Sequence, residues 1–130
     1  MGSVRHLAWW LSTLVLSCSS PVFAQVDTTY RIVAHYDTQP ASVAPPPSAN
    51  TTALGVLKTY ASASALEAGF VSVKVLTDIG RSSRFEVVEV WASQAAHTAH
   101  RAALAYATLQ TAIAPWLVGP VEEIAHTHFK

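Results

Sequence analysis

The chain has 130 residues, 51% of them hydrophobic and only 12% charged, with eight basic side chains balanced by eight acidic ones. A neutral chain with no basic stripe argues against nucleic acid as a partner, and a single cysteine, Cys18, excludes a disulfide framework. This length accommodates one compact core rather than two.

At the N-terminus, Arg5 and His6 precede an apolar run from Leu7 to Leu16 that is too short for a stable transmembrane anchor. Val22, Phe23 and Ala24 place small residues where a signal peptidase needs them, so residues 1–24 read as a secretory signal peptide and the protein as secreted or periplasmic. A second reading starts from Val15-Leu16-Ser17-Cys18, which loosely matches a lipoprotein box and would tether the chain through a lipid on Cys18. The remaining 25–130 form one domain with seven basic and eight acidic residues and no cysteine. Packing alone must stabilise it.

Tyr30 to Thr38 is rich in β-branched and aromatic residues and reads as a strand. Gln39 to Asn50 holds four of the seven prolines and reads as a stiff surface loop. Asn50 or Thr51 can cap a helix running to about Ala68, with Leu54, Leu57, Ala61, Ala65 and Leu66 as its stripe and Gly69 as its stop. Phe70–Asp78 and Arg84–Trp91 alternate as two strands around a turn containing Gly80. Ser93 caps a helix from Gln94 to about Ala103, which continues or kinks into a stretch carrying Leu104, Leu109 and Ile113 before Pro115. Pro120–Phe129 supplies a last strand. The order β, α, β, β, α, β predicts an α+β, ferredoxin-like βαββαβ sheet with its helices on one face.

Both faces of the third strand are apolar: Phe85, Val87 and Trp91 on one side, Val88 and Val90 on the other. Two helices cover one face. The expectation is that the face with Phe85, Val87, Glu89 and Trp91 is covered by a second copy, giving a homodimer with a cavity between sheets.

The stretch GFVSVKVLTDIGRSSRFEVVEVWASQAAHTAH, from Gly69 to His100, resembles the antibiotic biosynthesis monooxygenase family of dimeric α+β barrels, which includes quinol monooxygenases. The resemblance rests on a glycine ahead of the second strand, Val75-Leu76 followed by Asp78, then Arg84-Phe85, Glu89-Val90-Trp91, and a histidine nine residues after the tryptophan. Weaker similarity runs from Tyr30 to the C-terminus. It implies a monooxygenase that lets molecular oxygen react with a quinol or phenol using no flavin, metal or haem, the substrate anion itself supplying the electron. On that reading Trp91 is a cavity wall and indole donor, His100 a base or hydrogen-bond partner, Glu89 an inward acceptor, and His35 a second candidate base. The partners implied are a small aromatic substrate and a second copy of the chain.

Each residue also has a plainer reading. Trp91 is core packing, Glu89 a salt bridge with Arg84 or Arg31, and His100 a brace to a backbone carbonyl. The chain departs from the family pattern at Ala105 and Tyr106, where a histidine and a phenylalanine are common, and at His97, where an apolar residue is usual. Gln110 stands near the iron-binding histidine of haem-degrading relatives, so haem chemistry is not implied. Such departures keep open a non-catalytic dimeric ligand-binding module of the same fold. The pairs His97/His100 and His126/His128 each share a face, and their convergence would instead make a copper or zinc site.

Overall fold

The computed structural model describes residues 29–40 and 52–126. The signal segment, most of the proline-rich stretch and His128 lie outside them. Eight elements follow in order: β1 (Tyr30–Asp37), α1 (Ala53–Ser64), β2 (Phe70–Thr77), β3 (Arg84–Trp91), α2 (Gln94–Arg101), α3 (Leu104–Ile113), a 3-10 turn (Ala114–Trp116) and β4 (Glu122–His126). The strands form one antiparallel sheet in the order β2-β3-β1-β4. This is the ferredoxin-like α+β arrangement read from the sequence, with its second helix broken in two.

Thr52, not Asn50 or Thr51, starts α1, its hydroxyl accepting from the Gly55 amide at 3.1 Å. The stripe facing the sheet is Ala53, Val56, Leu57, Tyr60 and Ser64. That register is rotated from the predicted one: Ala65 and Leu66 lie beyond the helix end, and Leu66 is exposed. Ser93 caps α2 as expected, accepting from the Ala96 amide at 3.1 Å. The break before α3 falls at Ala102–Ala103, where Ala103 is extended.

The face assignment needs correction. Phe85, Val87, Glu89 and Trp91 are all buried on the face shared with Ile32, Ala34 and Tyr36. That face carries the core formed with Val56, Leu57, Tyr60, Leu109 and Ile113 from the helices. The physical reason is size and polarity: the larger aromatic groups and a carboxylate needing donors are on this face, and the helices supply both cover and donors. The uncovered face is the opposite one, with Val33, His35, Leu76, Glu86, Val88, Val90 and Ile124.

Candidate active site

The period of β3 puts Glu89 and Trp91 side by side on the inner face, and the indole Nε1 donates to Glu89 Oε2 at 2.9 Å. Tyr60, one turn beyond Val56 and Leu57 on α1, points at the same carboxylate, and its hydroxyl donates to Glu89 Oε1. The Ser93 cap sets α2 so that its last turn presents His100 to this pair. The His100 Nε2 lies 2.7 Å from the Tyr60 hydroxyl, and its Nδ1 lies 2.7 Å from Glu67 Oε2. The Trp91 ring stacks on the imidazole at 4.4 Å and 26°, and Tyr106 meets it edge-on at 5.6 Å.

The result is a continuous chain, Glu67–His100–Tyr60–Glu89–Trp91. Trp91, His100, Tyr60 and Glu89 are buried, whereas the Glu67 side chain keeps 20% exposure. Three of its links, Glu67 to His100, His100 to Tyr60 and Tyr60 to Glu89, each require one proton. Neutral Tyr60 and neutral His100 bring two, so satisfying all three links takes one more, shared among the imidazole and the carboxylates. Burial, reinforced by Glu89, drives the Tyr60 phenol far above its ordinary value, so it stays a donor.

Gly69 holds Glu67 in place. Its φ of 79° turns the chain from the α1–β2 loop into β2, and a Cβ there would lie 2.5 Å from the Cβ of Ala96 on α2. The loop carrying Glu67 is therefore pressed directly onto the helix carrying His100, and the Phe70 amide donates back to the Glu67 carbonyl at 3.3 Å.

Beside this network, between the sheet and α3, lies a cavity of about 230 Å³ lined by Tyr36, Tyr106, Leu109, Ile113, Val121 and Glu123 among others. Tyr36 is 3% exposed, and no group among the described residues hydrogen-bonds its hydroxyl. Burial first, then the charges of Glu89 and Glu123, push this phenol strongly upward and keep it protonated. Tyr106 donates to Glu123 Oε1 at 3.0 Å, and Arg101 donates to Oε2 while its guanidinium lies 4.4 Å over the Tyr106 ring. Burial and Glu123 raise the Tyr106 phenol as well. A second, apolar groove of about 290 Å³ lies between α1 and α3, with Tyr60 among its lining residues.

Trp91, Glu89 and His100 are thus brought together in one buried network, and Trp91 lines neither the cavity nor the groove. His35 is not with them: it lies on the uncovered face, 4.0 Å from Glu86. His126 is opposite Arg31 on that uncovered face, across the sheet from His97 and His100, and both nitrogens of His100 are already engaged. Among the described residues, His126 therefore does not converge with His97 and His100, and His128 lies outside the described residues. Sequence reasoning passed over Tyr36, Tyr60, Glu67 and Glu123. Tyr36 stands in the alternation of Ile32 and Ala34, and Tyr60 is three and four residues beyond Leu57 and Val56, so periodicity could have found both. No sequence signal marks Glu67 or Glu123.

Residues 38–112 match the family model described as antibiotic biosynthesis monooxygenase. No curated protein matches the chain. Among solved structures, SnoaB, a cofactor-independent oxygenase from Streptomyces nogalater, superposes with a TM-score of 0.65 at 16% identity, over 79% of this chain and 95% of that one. Rv0793 from Mycobacterium tuberculosis gives 0.65 at 16% identity over 78% and 96%. PA3566 from Pseudomonas aeruginosa gives 0.64 at 18% over 79% and 96%. At these identities the likeness is one of fold.

Proposed function

The chain belongs to the antibiotic biosynthesis monooxygenase family, and we propose that it is a cofactor-independent monooxygenase that oxidises a quinol or phenol with molecular oxygen. The observation that carries this reading is Tyr36: a buried side chain whose hydroxyl has no protein partner among the described residues, at the wall of a cavity that also holds the Tyr106–Glu123 pair. A phenol seated there can give its proton to Glu123 and take a hydrogen bond from Tyr36 on the resulting anion. The anion passes one electron to oxygen, the radical pair joins as a carbon–oxygen bond, and protonation followed by loss of water leaves a quinone. One oxygen atom enters the product and the other leaves as water.

Burial first, and the charge of Glu89 after it, keep Tyr36 protonated, and Trp91 and Tyr60, the latter braced by His100, hold that carboxylate in place. Export through residues 1–24 suits such chemistry, since reduced nicotinamide cofactors are scarce outside the cytoplasm. The uncovered sheet face, with half-exposed Leu76 and Ile124 beside Val33, Val88 and Val90, is the surface on which a second copy would close the homodimer.

Oxygen uptake across a panel of hydroquinones and naphthols tests the reading. Tyr36→Phe and Glu123→Gln are each expected to lower kcat by about a hundredfold. Saturable binding of the same compounds with no oxygen consumed would replace the enzyme with a ligand-binding module.

A further inference from the structure

The network beside the cavity has one end in water. Glu67 alone among Glu67, His100, Tyr60 and Glu89 has a partly exposed side chain, at 20%, while that of His100 is 0% exposed and that of Glu89 5%. The links between them are 2.7 Å from Glu67 to Nδ1, 2.7 Å from Nε2 to the Tyr60 oxygen, and a direct hydrogen bond from Tyr60 to Glu89. His100 and Glu89 themselves stand 4.0 Å apart, too far for a hydrogen bond, so the phenol bridges them.

We propose that Glu67 is the solvent-side terminus of a proton relay, Glu67–His100–Tyr60–Glu89, that sets the protonation of the buried Glu89 carboxylate. With a proton on Glu67, all three hydrogen bonds point inward: Glu67 to Nδ1, Nε2 to Tyr60, Tyr60 to Glu89. Moving each proton along its own bond leaves Glu67 ionised, the imidazole protonated on Nδ1 alone, Tyr60 still a phenol, and Glu89 protonated. One proton enters, one arrives, and all three bonds survive with their direction reversed. Glu67 is a positioning residue here, since it touches neither the cavity nor a substrate. Gly69 is part of the device, because only a residue without Cβ lets the loop approach α2 closely enough for Glu67 to reach His100. The groups that face His100 are Glu67 from the α1–β2 loop, Tyr60 from α1, Glu89 from β3, Tyr106 from α3 and His97 from its own helix.

The relay rests on the proposed function only for its effect on turnover, and its test needs no substrate. Solvent exchange of the Tyr60 hydroxyl proton and the His100 ring protons is measured by NMR at graded low denaturant, with the Val87 amide as a marker of the core. In the wild-type protein the network protons should exchange faster than the Val87 amide and without dependence on denaturant. Glu67→Gln keeps an acceptor for Nδ1 but cannot carry the proton, and is expected to slow that exchange by about a hundredfold. Glu67→Asp, which keeps the carboxylate, should restore it in part. Two results would overturn the relay: wild-type network protons that exchange at the rate and denaturant dependence of the Val87 amide, or faster exchange in Glu67→Gln. If oxygen uptake is absent while the exchange pattern holds, the functional reading fails and the relay stands.

Discussion

Removing the Tyr60 hydroxyl isolates the energy of the buried network from that of packing. Tyr60→Phe keeps the ring against Val56 and Leu57 and opens no cavity, but it strips the partner from His100 Nε2 and from Glu89 Oε1 at once. Glu89 keeps the Trp91 indole and His100 keeps Glu67, so each loses one contact of two. An orphaned buried polar group costs about 1–3 kcal/mol, and partial relaxation of the pair brings the expected loss to roughly 2–4 kcal/mol. For a domain of this size that is a fall in Tm of roughly 10–20 °C. Chemical denaturation should show a lower midpoint with an unchanged slope, because the surface buried by the fold is the same. Tyr106→Phe is the control: its hydroxyl bonds a Glu123 that keeps Arg101, so it should cost about 1 kcal/mol or less. A loss under about 0.5 kcal/mol for Tyr60→Phe would show that the buried links contribute no net stability and would refute the reasoning.

Gly69→Ala combines a positive φ with a Cβ driven onto Ala96, and should destabilise the fold by about 2 kcal/mol or more while moving Glu67 off His100, seen as a changed NMR shift of the His100 ring. Burial holds His97 below its ordinary histidine value although Glu89 opposes it, so the unfolded chain takes up its proton first as pH falls. Stability should then decline from about pH 6.5 downward, and a Tm-against-pH curve should be flatter in His97→Gln. Tyr36 and Tyr60 are both pushed upward by burial and by Glu89, so unfolding releases their protons above about pH 10 and stability should fall there. Ultraviolet titration should show these two ionising only together with loss of the fold; early phenolate absorbance from either would contradict their burial.

Much of the fold was legible because local periodicity is a backbone property. The alternation of Arg84–Trp91 and the Ser93 cap follow from side-chain geometry within a few residues, whereas α1 ends at Ser64, short of the expected stop at Gly69. The register of α1 was harder to read. Its apolar residues are spread round the helix, so Leu54 and Ala61 form as plausible a stripe as Val56 and Tyr60, and only contact with the sheet selects one. Of the candidate residues, Trp91, Glu89 and His100 do meet, while His35 sits on the other side of the sheet.

The sequence by itself determined the order and type of the elements, the alternation that puts Glu89 and Trp91 on one face, and the run of residues that resembles the family. Only the tertiary structure decided which sheet face the helices cover, because both faces of β3 are apolar and alternation cannot rank them. It alone also joined Tyr60 to residues 29 and 40 positions away, and Glu67 to one 33 positions away. Hydrogen bonds at such separations leave no local pattern. They exist because a carboxylate buried beneath helices must find its donors wherever the fold brings them.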